Sequence, residues 1–407
     1  MTSRLRILPA HQALFLVKNC LGIPKMMYVL RCSPTFRCPA ALAKWDETMR
    51  VALCCLTNTQ LTADLWIQAS LPVSKGGLGI RRVTDIALPA YLASVHRSRM
   101  LTEQIVPEIE YDPLAEEVAA KWSAEVNADM PILEERWIQK RWDERATQQI
   151  LDGLMGRANM TDRARLLAVT SSDSGQWLNA LPVASVGNLL DDDSLRIAVA
   201  IRLGADVCEE HTCRCGATVD RKGHHGLSCK YSAGRHGRHG AINQVVQRAL
   251  STIGSHAVLE PPGLDRGDGK RPDGMTRVPW AHGKQVIWDV TVVDTVARSY
   301  LNATSTRRAA AAIKAEERKT DKYKRLTERY IFMPIAIETF GSIGPLGMEF
   351  LCAVGKKLIR HTGDKRSSQF LQQRISIELQ KGNSLCVLGT LPSSTELEEI
   401  FYTFGCK

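Results

Sequence analysis

The sequence predicts an α/β protein, a mixed sheet with flanking helices, preceded by an all-α region and a small zinc-binding module. Three observations predict it. From Val286 to Val293 the chain is almost wholly apolar and β-branched, the pattern of a strand buried on both faces. A helical stretch containing AEERKTDKYKRL then leads to a second apolar run, YIFMPIAIETFGSIG, so that strand, helix and strand make a parallel crossover unit. Upstream, CEEHTCRCGATVDRKGHHGLSC gathers thiols and imidazoles in a segment too small to build its own core.

In chain order, the first hundred residues are helical in pattern. HQALFLVKNCLGIPKMMYVLRCSP has apolar residues at spacings of three and four, interrupted at Pro24, and ALAKWDETMRVALCCL is a second amphipathic segment. Pro72 and the Gly76-Gly77 pair then mark a turn before another helix. Residues 100 to 170 are charged and helical. Arg136, Lys140, Arg141 and Arg145 there offer a nucleic-acid contact, or a solvated face, since acids are interspersed among them. After the zinc segment comes a basic helix start, Arg235-His236-Gly237-Arg238-His239, and after the second apolar run MEFLCAVGKKLIR and SSQFLQQRISIELQKG read as covering helices. The terminal SLCVLGTLPSSTELEEIFYTFGCK carries no recognisable chemistry.

Composition narrows the function class. A chain of 407 residues with 44% hydrophobic and 24% charged residues has room for two or three domains around sizeable cores. Its formal net charge of +10 favours a polyanionic partner. No uninterrupted run of about 18 apolar residues occurs, so no membrane span or membrane partner is expected. Twelve cysteines without a secretory leader pattern suit reduced thiols and a metal site better than a disulfide framework.

The chemistry concentrates between Glu260 and Tyr330. Asp289 interrupts the apolar strand, and a buried carboxylate without a partner is costly. Arg271-Pro272-Asp273-Gly274 reads as a turn that presents Asp273 beside that strand, so the two acids make a hard oxygen site suited to Mg²⁺. In the following helix Ala309, Ala312, Glu316, Lys319, Tyr323, Leu326 and Tyr330 share one stripe, which directs Lys319 toward the acids. A metal that polarises a phosphoryl oxygen, with an ammonium to stabilise developing charge, is the arrangement of a phosphodiesterase. The alternative is a buried domain whose acids cap turns or pair with Lys270 and Arg271. Glu260, closing SHAVLE, is either a further site carboxylate or a strand-end residue. For zinc, Cys213, Cys215, one histidine and Cys229 supply the ligands, and Gly216 permits the tight turn between them. The histidine is His224 or His225, with Cys208 and His211 in reserve.

Asp273 and Asp289 followed by a helix with Lys319 and Tyr323 resemble the restriction-enzyme-like endonuclease of non-LTR (LINE-type) retrotransposons, a branch of the PD-(D/E)xK nucleases. The usual lysine slot, two residues after the second acid, holds Thr291 here. In the retrotransposon branch the lysine lies on the next helix, which Lys319 matches, with Lys314 and Lys322 as substitutes. Leu71-Pro72 with Gly76 to Arg81 resembles a reverse transcriptase thumb motif, Gly175 to Pro182 (GQWLNALP) resembles the linker motif HINALP, and Arg238, His239 and Asn243 resemble an Arg-His-Asn signature. The resemblance implies five parts: a thumb-like region at 1–100, a helical linker at 101–205, a CCHC zinc knuckle at 206–240, the endonuclease at 241–375 and a tail at 376–407.

It also implies roles. Asp273 and Asp289 hold Mg²⁺, Lys319 stabilises charge or positions water, Tyr323 orients the lysine or touches DNA, and Arg235, Arg238, His239, Asn243 and Asn179 contact nucleic acid. Its partners would be target DNA, element RNA and the reverse transcriptase core, its place the nucleus, and its reaction the nick that primes reverse transcription. No Tyr-x-Asp-Asp occurs, and Asp191 to Asp193 lie outside a strand-turn-strand context, so the polymerase core is absent and the chain looks like the C-terminal part of such a polyprotein. A non-catalytic remnant that still binds DNA or RNA is the alternative.

Overall fold

A computed structural model describes residues 2–106, 113–264 and 271–402. Lys270 lies outside them. The chain forms two compact units, Met1–Ala158 and Asn159–Lys407.

The first unit is helical throughout its described residues. Pro24 stands in the first turn of the helix Ile23–Cys32, where its missing N–H costs nothing. Helix Pro39–Thr57 ends at Asn58 in the left-handed conformation. Its Asp46 is buried and accepts from Val83 N at 2.7 Å and from the Thr84 hydroxyl at 2.6 Å, capping the start of helix Val83–Ile105. Trp122 and Trp142 meet edge to face at 5.0 Å in a core with Leu92 and Val118. Of the basic residues that offered a nucleic-acid contact, Arg141 is paired with Glu135 at 2.6 Å and Arg136 donates to Pro131 O at 3.0 Å. Among the described residues one stretch, Ala10–Cys32, is long and apolar enough to cross a membrane by length and mean hydropathy. A π-helical turn at Val17–Leu21 and Gly22 break it, and Ala13, Leu14, Val17 and Leu30 are buried.

The second unit holds both candidate centres, the aspartate–lysine site and the cysteine–histidine group. Asp191 is the N-cap of helix Asp192–Leu203, accepting from Ser194 N at 2.8 Å, so the run of three aspartates is a helix start. A two-stranded hairpin, β1 (His211–Thr212) and β2 (Thr218–Val219), precedes the helix Gly234–Thr252. The main sheet has β3 (Ala257–Leu259), β4 (Gly274–Thr276), β5 (Val286–Val293) and β6 (Ile331–Glu338) in that order. β3 to β5 are antiparallel neighbours and β5 pairs with β6 in parallel. The expected strand-helix-strand crossover is therefore present, through helix Ala310–Tyr323. Pro334 sits within β6, which is an edge strand and tolerates the lost donor.

Alternation along β5 divides the sheet faces. Val286, Trp288 and Val290 pack with Ile242, Val246, Phe350, Val354, Leu371 and Ile375 from three covering helices. Ile287 packs instead with Tyr323 and Phe332, and Val293 with Ala312, Ala315 and Ala336, beneath helix Ala310–Tyr323. Asp289 and Thr291 belong to this second face. Helix Ser367–Leu388 runs through the boundary expected at 375/376. Its first half completes the sheet core, while Ser376 Oγ accepts from Trp177 N at 3.2 Å and Cys386 lies against Gly226 and Gly234. The end of the chain also returns, with Tyr402 N bonded to Val207 O at 3.0 Å.

Helix Ala310–Tyr323 is tied to its neighbours by two carboxylates, one at its start and one at its middle. Glu338, last residue of β6, accepts from Ala311 N at 2.9 Å and Ala312 N at 3.3 Å. The helix's own Glu316 accepts from Leu346 N at 3.1 Å and Gly347 N at 2.8 Å, capping helix Pro345–Thr362. Burial raises the Glu338 carboxyl above its usual range, against the bonds that favour its charge. A carboxyl raised in the folded state binds protons more tightly than in the unfolded chain, so its contribution is greatest below the unfolded value near 4.5 and falls as pH rises through the folded one. Glu338→Gln should flatten that part of the stability profile in urea titrations at several pH values. Glu338→Ala, which orphans both N–H groups, should lose about 1–3 kcal/mol.

Candidate active site and metal centre

Asp289 is 3% exposed and Lys319 25%, and the ammonium stands 2.5 Å from Asp289 Oδ1. Asp289 lies opposite Pro334 on β6, at the middle of the buried strand. The small residues Ala312 and Ala315 let the helix settle close enough for Lys319 to reach it. Thr291, in the slot two residues on, has a buried hydroxyl oxygen with no hydrogen-bond partner among the described residues. Lys314 and Lys322 do not substitute for Lys319: Lys314 lies over the Tyr300 ring, and Lys322 donates to the Tyr323 hydroxyl at 2.8 Å.

Asp273 immediately precedes β4, whose Gly274 pairs with Trp288, so the two aspartates occupy neighbouring strands at one level. Asp273 Oδ2 accepts from Val290 N at 2.6 Å and from Asn243 Nδ2 at 3.1 Å, and lies 2.9 Å from His239 Nε2. Burial alone would raise this carboxyl; the bonds from His239, Val290 and Asn243 outweigh it and hold Asp273 below the usual carboxylate range. The same hydrogen bond raises His239, to which the Asp289 charge adds. Asn243 also accepts from Trp288 Nε1 at 3.0 Å. An indole can only donate, which fixes the amide with its NH₂ group toward Asp273. Gly274 is required here: a Cβ on it would stand 2.0 Å from the Trp288 ring. Gly274→Ala should lower the urea midpoint, by about 1–3 kcal/mol of overpacking, with an unchanged slope.

The hydrogen bonds of the two aspartates among the described residues fall on Asp273 Oδ2 and Asp289 Oδ1. Asp273 Oδ1 and Asp289 Oδ2 therefore carry no hydrogen bond among the described residues, and carboxylate oxygens of this kind suit a hard cation; Thr291 adds a buried, unbonded hydroxyl on the face of the sheet that carries Asp289. Glu260 does not join them. It is exposed, has φ of 47°, and pairs with Arg271, so the strand-end alternative describes it. Tyr323 is buried against Ile287 and Phe332, and its hydroxyl donates to Arg271 O at 3.0 Å. It therefore secures the loop before Asp273 instead of orienting Lys319 or facing DNA.

The Arg-His-Asn signature needs correction as a nucleic-acid surface. Arg238 is buried, donating to Asn383 Oδ1 at 2.6 Å and Leu227 O at 3.3 Å. Asn243 is likewise buried, and His239 is engaged with Asp273. Arg235 remains exposed, donating to Ser228 O at 3.4 Å. Asn179 is exposed at the end of a 3-10 turn, between buried Leu178 and Ala180.

The second centre gathers Cys213, Cys215, His225 and Cys229, whose ligand atoms all lie within 4.8 Å of one another. This Cys₃His group can hold a metal ion such as zinc. Tetrahedral zinc with bonds of about 2.3 Å places sulfurs about 3.8 Å apart, and Cys213 Sγ and Cys229 Sγ are 3.8 Å apart. Cys215 Sγ lies 3.2 Å from His225 Nε2. Gly216 has φ of 83° and its N–H bonds Cys213 O at 2.8 Å, the expected turn. His224 is not a ligand. It packs on Phe340 at 5.9 Å, and burial brings it down to about 4. Cys208 and His211 are also outside the group: Cys208 Sγ points at Asp220 O, and His211 bonds Glu209 O and Thr390 Oγ1. No other set of three or more potential ligands occurs among the described residues.

No protein-family model matches the chain, and no curated protein matches it.

Proposed function

We propose that the Asn159–Lys407 unit is a metal-dependent DNA endonuclease with a PD-(D/E)xK-like site, the nicking part of a non-LTR retrotransposon protein. One observation carries the reading: a carboxylate at the centre of a buried strand, bonded to the Lys319 ammonium, with a second aspartate at the same level of the neighbouring strand. Ion pairs of this kind add little stability over apolar residues of the same size, so chemistry is the better account of Asp289. Mg²⁺ held by Asp273 and Asp289 would supply polarisation of a phosphoryl oxygen and an activated water. Lys319 offsets negative charge developing on the phosphate, His239 and Asn243 keep Asp273 ionised and oriented, and Tyr323 secures its loop.

The retrotransposon assignment rests on the order of the motifs: thumb-like turn, linker motif, Cys₃His group, then acids and lysine. In that setting the partners are target DNA, element RNA and a reverse transcriptase core, the compartment is the nucleus, and the nick primes reverse transcription. Nicking of supercoiled plasmid by the purified chain with Mg²⁺ tests the activity. Open-circle product from the wild type, absent with Asp289→Ala, supports it. Equal product from both proteins overturns it, and DNA retained in a gel shift without any cleavage favours a non-catalytic binding remnant.

A further inference from the structure

We propose that Tyr300, Lys314 and Arg318 form a phosphate clamp that holds a DNA backbone phosphate next to the scissile one, a role that rests on the endonuclease reading. Lys314 and Arg318 sit one turn apart on the helix that carries Lys319, and both are exposed. Tyr300, in the loop after β5, draws the two cations to one ring: Lys314 Nζ lies 6.0 Å and the Arg318 guanidinium carbon 5.3 Å from its centroid. Arg318 Nε also donates to Lys314 O at 3.3 Å, which fixes the fork. Neither cation has an ion-pair partner among the described residues.

Two like charges held together at one exposed point repel, and an anion docked between them relieves the repulsion. The ring orders both long side chains beforehand, which reduces the entropy lost when they bind. Placement selects the anion. Arg318 adjoins Lys319 in sequence, and Lys314 is about 7.5 Å from it along the helix axis and about 140° around it, so the clamp lies on the exposed flank of the helix whose inner side carries Lys319, within reach of a strand passing over the site. The clamp therefore serves a strand whose reacting phosphate lies at Lys319 and Asp289. It supplies affinity and register without reading bases.

The test is binding of a fluorescent DNA duplex without added magnesium, titrated from low to moderate salt. Each lost phosphate contact flattens the log–log salt dependence by about 0.9. Lys314→Ala with Arg318→Ala should flatten it by about 1.8, and Lys356→Ala with Lys365→Ala, exposed cations outside the clamp, should not. Tyr300→Leu should weaken binding on the order of 3- to 10-fold with the slope kept, and Tyr300→Phe, which retains the ring face, should bind like the wild type. An unchanged slope in the clamp double variant, equal flattening in the control pair, or equal weakening by Leu and Phe at 300 overturns the clamp. Plasmid nicking on the same proteins keeps the two readings apart: loss of the slope effect with Asp289-dependent nicking intact rejects the clamp alone. The slope effect without nicking rejects the nuclease and leaves a phosphate-binding face.

Discussion

Cys215→Ser is expected to abolish zinc binding and to melt the segment around residues 206–234. Structural zinc sites of this type contribute about 10–16 kcal/mol of apparent binding energy, which small modules depend on to fold. Here the module's own core is little more than Val207, Val219 and Leu227, and much of its remaining burial comes from lying on the Ser367–Leu388 helix, Phe340 and Phe401. Loss of the metal should therefore lower the thermal transition of the whole Asn159–Lys407 unit, not only erase a local signal. The measurement is zinc released per chain on thiol modification, with a melt followed by circular dichroism. One zinc is expected in the wild type and in Cys352→Ser, none in Cys215→Ser. His225→Ala should lose it and His224→Ala keep it, since His224 packs on Phe340 outside the ligand set. A wild-type chain that holds no zinc, or melts identically with and without chelator, would sink the assignment.

The second large effect separates stability from activity. Lys319→Met leaves the Asp289 carboxylate buried without its cation. For a wholly buried pair the loss would be about 3–5 kcal/mol; because the ammonium is a quarter exposed, roughly 2 kcal/mol is expected. Adding Asp289→Asn to Lys319→Met removes the stranded charge and should recover most of that loss in urea denaturation. Nicking should behave in the opposite way, falling by more than about 10²-fold in each single variant and showing no recovery in the pair. Recovery of nicking with recovery of stability would mean the pair is only a structural ion pair.

The residues that were legible in the sequence share one property: their setting is local and periodic. Asp289 stands out because all its strand neighbours but Thr291 are apolar, and Lys319 because it falls on the inward stripe with Ala312, Glu316 and Tyr323. The parallel crossover follows from the two apolar runs on either side of the Lys319 helix. What stayed hidden depends on partners far along the chain. Arg238 reads as a surface cation until Asn383, 145 residues later, takes its guanidinium. Glu316 and Glu338 give no hint that their acceptors serve the backbone of helices brought to them by packing. Trp288 orienting Asn243 toward Asp273 joins two distant segments, and neither residue type announces it. His224 and His225 differ only in which way a short helix turns them, which spacing to Cys229 does not decide.

The long C-terminal helix also bears on how the gene tolerates damage. Backbone at Cys386 touches the glycines of the metal module, Asn383 holds Arg238, and Ile375 lies in the core behind the sheet. A stop codon near position 375 would leave every motif residue of both centres translated, yet remove the surface on which the two are mounted. Intact motifs are therefore a poor indicator of a folded product, and the codons for residues 375–388 matter to it as much as those for the motifs.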